Sequence, residues 1–271
     1  MSMTQSLIPS LSACRAMLAK DGVCVLPRVL DAGKTAALRR SLTETAELYR
    51  QKGGETFLPY LDANDRNIRV FNLIGLHHDF RELILHPTAV SLVKGLLGDG
   101  FMISNFTANI ALPGSASMAL HADQALVAPA PWLEPWAINI IWCLDDANEA
   151  NGATRYIPGS HLWQSLDDLP DDPMALTQAF EAPAGSIVAM DGRTWHTSGA
   201  NVTKDKERAL LFGYYTQDFI RPQVNWNVLL APETIAALPA DLFNKLGLGP
   251  SANSRQGGAL LKAMKDRQLQ R

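Results

Sequence analysis

Four residues of the 271-residue chain have the types and spacing to hold and use a metal ion. His121 and Asp123 flank Ala122, His196 follows 73 residues after Asp123 in Trp195-His196-Thr197, and Arg208 lies twelve positions further on. Two imidazoles and one carboxylate are the donor set that grips Fe(II) on one face and leaves the opposite positions open for other ligands. A guanidinium beyond them suits the far carboxylate of a dicarboxylate cosubstrate. Together they read as an oxygen-activating iron site.

Each piece alone has a plainer reading. An isolated His-x-Asp is more often an exposed loop, and Arg208 could pair at the surface among Lys204, Asp205, Lys206 and Glu207. A structural zinc site prefers clustered cysteine, and none clusters here. A zinc hydrolase or isomerase could use the same three ligands with an activated water in the open position, but it leaves Arg208 without a task. A non-catalytic jelly-roll binding module with a relic site is the third alternative, and the completeness of the set speaks against it. His77-His78-Asp79 is the rival cluster; Leu76 before and Phe80 after look like the approach to a helix, which favours a structural role. His161 reads as an organiser of its loop, and His86, before Pro87, as a cap or surface residue.

The elements that must position these residues are mostly short strands. Residues i and i+2 of a strand share a face, so a β-segment would aim His121 and Asp123 at one ion. His196 must come from a distant strand or its edge, after the Asp191-Gly192 turn. Before them the chain reads as helical: 10–20, then strand 23–26 stopped by Pro27, then a helix N-capped by Asp31. Leu38, Leu42, Thr45 and Tyr49 recur along that helix until Gly53-Gly54. Pro87 opens a further helix, with a stripe of Val90, Val93 and Leu97, closed by Gly98. Strands are expected at 101–112, 136–144, 156–157, 186–190 and 209–216, separated by turns such as Asn151-Gly152 and Pro158-Gly159. The lack of alternation in 136–144 implies cover on both faces. A helix is expected over 232–246. The resulting class is α+β, mainly β with flanking helices, with a jelly-roll core of the cupin type. It is expected as a single domain, 1–271: a helical part at about 10–98, the jelly roll at about 99–220 and a helical tail at 221–271. Residues 125–135, with three prolines around Trp132, suit a lid or pocket wall, and 251–271 a docking helix or a partly disordered tail.

Composition narrows the class. The chain is 47% hydrophobic and 19% charged, enough for one sizeable core. A net charge of −3 offers no basic field for nucleic acid. The apolar runs are too short to span a bilayer, and the start lacks the pattern of a secretory signal. Three scattered cysteines, Cys14, Cys24 and Cys143, suit a reducing compartment such as the cytoplasm.

Several stretches go beyond these patterns. They are Asp21-Gly22-Val23-Cys24-Val25-Leu26-Pro27, His121-Ala122-Asp123-Gln124, the block from Asn151-Gly152-Ala153-Thr154 to Pro158-Gly159-Ser160-His161, Pro183-Ala184-Gly185-Ser186, and Trp195-His196-Thr197-Ser198-Gly199-Ala200-Asn201 leading to Arg208. In these the chain, roughly from Leu11 to Tyr215, resembles the phytanoyl-CoA dioxygenase family of Fe(II)/2-oxoglutarate oxygenases. The resemblance implies a double-stranded β-helix core, with His121, Asp123 and His196 as catalytic iron ligands. It implies that Arg208 binds the distal carboxylate of 2-oxoglutarate bidentately, and that the Thr154 hydroxyl contacts the same cosubstrate. Fe(II), 2-oxoglutarate and O₂ are then the cofactors, with succinate and CO₂ released as a C–H bond is oxidised. Related halogenases replace the carboxylate by a small residue; Asp123 is retained, which favours hydroxylation, desaturation, epoxidation or rearrangement.

Phe71, Asn72, Asn109, Met118, Trp132, Trp136 and Asn139 are the candidates for the substrate pocket. Their mixture favours an apolar small molecule with a few polar contacts, of the kind found as natural-product intermediates. No basic patch demands a CoA thioester, although Arg66 or Arg69 could meet an anionic substrate. A second copy of the chain, as a homodimer, is left open.

Overall fold

A computed structural model describes residues 9–128, 132–163 and 166–249. The chain starts with α1 (Leu11–Asp21), capped by the Ser10 hydroxyl. Gly22 then turns it in the left-handed region (φ 76°) into β1 (Val23–Leu26). Asp31 caps α2 (Ala32–Gln51) by accepting from the Lys34 amide at 2.8 Å. Next come β2 (Asn67–Val70), the short helices α3 (Leu73–Leu76) and α4 (His78–Leu83), and α5 (Pro87–Leu97), which has proline in its first turn. The burial of α5 falls on Ala89, Leu92, Val93 and Leu97, so the expected stripe is shifted: Val90 is only half-buried.

The strands that follow are β3 (Met102–Ala111), β4 (Ala137–Cys143), β5 (Thr154–Tyr156), β6 (Gln178–Ala179), β7 (Ile187–Asp191), β8 (His196–Ser198) and β9 (Arg208–Thr216). Six form a large sheet in the order β1-β7-β4-β9-β3-β2, and three form a small sheet in the order β6-β5-β8. All pairings are antiparallel. Alternation along each strand separates two cores. Ile138, Ile140, Trp142, Ala189 and Leu211 pack with Leu38, Leu42, Phe80 and Leu92 of the helices. Ile141, Cys143, Val188 and Leu210 pack with Ala153 and Phe180 on the side of the small sheet. Every residue of β4 is buried, as its unbroken apolar run implied. The architecture is the expected α+β jelly roll with helices against one face of the large sheet.

Three expectations are corrected. The helical part does not stop short of the jelly roll, because β1 and β2 pair with β7 and β3 in the large sheet. The helix expected over 232–246 is two helices, α7 (Pro232–Ala236) and α8 (Ala240–Lys245), after α6 (Trp226–Leu229). Pro239 has no amide hydrogen to continue the ladder, and Leu238 before it is pushed out of helical geometry. Asp123 does not lie in a strand; it begins a 3₁₀ turn, Asp123–Leu126. The tail 251–271 and residues 129–131 of the suggested lid lie outside the described residues. Among the described residues no helix is long and apolar enough to cross a membrane.

Candidate active site

His121 and His196 sit opposite each other in a two-residue antiparallel bridge. The amide of His121 donates to the carbonyl of His196 at 2.9 Å, and the amide of His196 returns the bond at 2.8 Å. This brings their rings to 4.4 Å between centroids. Ala122 is extended (φ −118°, ψ 136°) before the 3₁₀ turn starts. The period-two geometry expected of a strand therefore survives over the three residues that need it. Asp123 Oδ1 stands 3.8 Å from Nε2 of both histidines. Each histidine donates Nδ1–H to the carbonyl two residues before it, His121 to Ala119 and His196 to Thr194, both at 2.9 Å. That fixes the tautomer and leaves both Nε2 lone pairs facing Asp123, as a metal requires. Burial holds the His196 imidazole below its ordinary pKa; Asp123 pulls the other way and His121 adds to the depression.

Two further residues hold Asp123. Asn139 donates Nδ2–H to Oδ2 at 3.0 Å, and the Tyr214 hydroxyl donates to the Asp123 backbone carbonyl at 3.1 Å. Burial, and secondarily Asp123, push the Tyr214 phenol well above its usual range.

Arg208 opens β9 and is 1% exposed, which rules out the surface ion pair. Glu207 takes that role with Arg39, at 2.6 Å. The Arg208 guanidinium donates Nε–H and Nη2–H to the Gly152 carbonyl at 3.0 and 2.7 Å, and Nη1–H to Asn109 Oδ1 at 3.0 Å. These acceptors are neutral. Burial lowers its pKa to about 10, against the opposing influence of Asp145, so the group stays charged at neutral pH. Thr154, opposite Ser198 in the small sheet, is buried nearby.

All five of these residues line one cavity of about 590 Å³. Phe71, Asn109, Met118 and Asn139 line it as expected. Asn72, Trp132 and Trp136 do not. Asn72 caps α3 from the left-handed region (φ 58°) and reaches the Leu229 carbonyl. The Trp132 indole N–H is spent on the Val127 carbonyl at 2.6 Å, and the Trp136 ring rests edge-on against Phe219. Arg69, one of the two basic residues considered for an anionic substrate, also lines it, and residues not foreseen include Tyr60, Asn105, Thr107, Phe212 and Tyr214. A signal existed for four of them. Asn105 and Thr107 alternate with Asn109 along β3, and Phe212 and Tyr214 follow Arg208 at even spacing along β9.

The rival cluster is a helix start. His77 Nδ1 accepts from the Asp79 amide, while Asp79 accepts from the Ser41 hydroxyl at 2.7 Å and faces Lys34 at 3.8 Å. His86 caps α5, and buried His161 reaches the Ala19 carbonyl at 3.2 Å, as expected of an organising residue.

Residues 18–209 match the phytanoyl-CoA dioxygenase (PhyH) family. "Dioxygenase af480" of Aspergillus fumigatus is 47% identical over 234 residues, covering 86% of this chain and 76% of its own. "Dioxygenase trt7" of Aspergillus terreus is 29% identical, covering 85% and 81%. Among solved structures, the non-heme alpha-ketoglutarate-dependent epimerase SnoN from nogalamycin biosynthesis shares the fold with a TM-score of 0.65 at 22% identity, over 85% of this chain and 88% of its own. HygX from Streptomyces hygroscopicus, solved with nickel, 2-oxoglutarate and hygromycin B, has a TM-score of 0.62 at 16% identity, over 77% and 88%. The hydrolase and binding-module alternatives give way to this match, and the chain belongs to the phytanoyl-CoA dioxygenase family as an iron- and 2-oxoglutarate-dependent dioxygenase.

Proposed function

We propose that His121, Asp123 and His196 hold the iron, that Arg208 and Thr154 receive 2-oxoglutarate, and that the enzyme oxidises an uncharged, largely apolar natural-product intermediate. The observation that carries this is Arg208: a fully buried guanidinium, bonded only to neutral oxygens, in the cavity that also holds the triad. A buried cation is costly unless an anion meets it, and the distal carboxylate of 2-oxoglutarate is such an anion. The donor set fits the metal, with two imidazole Nε2 atoms and one carboxylate oxygen converging and the fourth side left to the cavity. When bound, the iron supplies O₂-dependent oxidation of a C–H bond, coupled to conversion of 2-oxoglutarate to succinate and CO₂. The protein orients the target bond and excludes water.

Charge balance argues for a neutral substrate. The remaining charged residue on the cavity wall, Arg69, is closed in a bidentate pair with Asp62, at 2.7 Å for both contacts. Arg66 is exposed and does not line the cavity. With Arg208 and the triad occupied, no free charge is left among the described lining residues for the phosphates of a CoA thioester. Tyr60, Leu61, Phe71, Met118, Leu126 and Phe212 supply an apolar wall. SnoN comes from nogalamycin biosynthesis and HygX was solved with hygromycin B bound, which supports a natural-product substrate. Hydroxylation, desaturation, epoxidation or rearrangement would follow from the pose. Chain 1–271 is read as one domain because β1 and β2 join the sheet that carries the site. The buried, unpaired cysteines support a reducing, cytoplasmic setting.

Anaerobic addition of Fe(II) and 2-oxoglutarate is expected to give a weak visible charge-transfer band, lost in Arg208→Ala. Succinate release should then respond to uncharged terpenoid, polyketide or alkaloid compounds and not to acyl-CoA thioesters. Absence of the band, with turnover unaffected by Arg208→Ala, overturns the reading.

A further inference from the structure

Asp123 is gripped at two points by neighbours in the large sheet. Asn139 on β4 and Tyr214 on β9 are directly opposite each other. Asn139 takes the side chain through Oδ2 and Tyr214 takes the backbone carbonyl. The other carboxylate oxygen, Oδ1, is the one that faces both histidine Nε2 atoms. The two oxygens of one carboxylate thus have separate partners.

Asn139 is an unusual residue for its position. Its neighbours along the strand are Ile138 and Ile140, it is 6% exposed, and its own Oδ1 makes no hydrogen bond to any described residue. A buried amide oxygen left without a partner is unfavourable, and a leucine would fill the same volume without that cost. The carboxamide is oriented by Asp123 alone: turned the other way, its oxygen would meet the carboxylate oxygen and repel it. The amide is therefore not explained by packing.

We infer that Asn139 is a positioning residue that, with Tyr214, keeps Asp123 a one-oxygen metal ligand. By occupying Oδ2 it stops the carboxylate from closing on the metal with both oxygens. A carboxylate bound through both would use a coordination position that the keto acid of 2-oxoglutarate needs. The inference rests on the metal and cosubstrate assignment of the preceding subsection.

The test separates affinity for the metal from affinity for the cosubstrate. Co(II) serves as the redox-silent metal probe, titrated first alone and then with 2-oxoglutarate under anaerobic conditions. In Asn139→Leu, 2-oxoglutarate binding is expected to weaken about tenfold, the low end of what losing an outer-shell partner costs at a metal site, while Co(II) binding alone stays within about twofold because the freed Oδ2 can itself join the metal and offset the lost orientation. In Tyr214→Phe, which removes one hydroxyl and keeps the ring, the same split is expected at about threefold. A structural role alone would weaken both affinities together, and that result overturns the inference. So does unchanged 2-oxoglutarate affinity in the variants; where Asn139→Leu does not fold, Tyr214→Phe decides. Failure of the wild-type protein to bind Co(II) and 2-oxoglutarate would instead remove the underlying site assignment.

Discussion

The Arg208 guanidinium meets the Gly152 carbonyl oxygen through two of its N–H groups, at 3.0 and 2.7 Å, and spends a third on Asn109. Arg208 lies on β9 and Gly152 in the turn before β5, so the contact ties the large sheet to the small one. Gly152 itself is left-handed (φ 84°), and a Cβ there would come within 2.9 Å of the Gly199 carbonyl. The cationic end of the cavity is thus built from a turn that only glycine fits.

Replacing Arg208 separates charge from geometry. Arg208→Lys keeps a positive charge but loses the planar fork. We expect 2-oxoglutarate affinity to fall about tenfold in the lysine variant and about a hundredfold in Arg208→Ala, from the loss of a buried charge-assisted contact. Calorimetric titration with Co(II) present checks this; Co(II) binding alone should not change.

Asp62→Asn tests whether the cavity is electrically closed. The Asp62 side chain is fully buried against Arg69. Removing its charge leaves Arg69 uncompensated at the cavity wall, with a loss of stability of about 3 kcal/mol. Succinate, a dicarboxylate, should then inhibit more strongly than in the wild type. Unchanged inhibition would mean that Arg69 does not govern the charge of the cavity.

Gly22 joins α1 to β1 and also supports the approach to His196. Its carbonyl accepts from the Asp191 amide and the Thr194 hydroxyl, at 2.9 and 3.2 Å. With φ at 76°, a Cβ would stand 2.3 Å from Thr194 Oγ1 and 2.7 Å from His161 Nδ1. Gly22→Ala is expected to cost about 2 kcal/mol, seen as a lower urea midpoint. Metal affinity should fall with it, because Thr194 orients His196.

Stability of the metal-free protein should decline in mild acid. Burial holds His161 below its ordinary value, partly offset by Asp191, the Ala19 carbonyl and Asp21, while Arg193 adds to the depression. The folded state therefore keeps this imidazole neutral where the unfolded chain would protonate it. Its contribution is complete above the unfolded pKa of about 6.5 and is lost as pH falls toward the depressed folded value. His86 is depressed by burial in the same direction. Thermal melting from pH 7.5 to 5 should show a falling midpoint, with a shallower fall in His161→Gln. An equal fall in the variant would reject His161 as a source.

The candidate ligands were the easiest residues to read from the sequence. His121, Asp123, His196 and Arg208 stood out by type and spacing and Thr154 through the family resemblance, and all five line one cavity. Less legible were contacts set by distant partners. β2 has four residues, and its pairing with β3, which places Arg69 opposite Asn109, leaves little trace in Asn-Ile-Arg-Val itself. Trp132 looked like pocket material by type, but a local hydrogen bond to Val127 directs it elsewhere. The single helix expected over 232–246 overlooked Pro239, whose missing amide hydrogen splits it in two.

The His121–His196 bridge has a mechanical consequence. Two hydrogen bonds join positions with 74 residues between them, a small restraint against the entropy of so long a span. An ion shared by both imidazoles would act as a removable rivet at that seam, and its binding energy would add to the resistance of the whole loop to opening. Chelation should then open the chain around His121 to proteases first, while β4 and β7 stay paired within the large sheet.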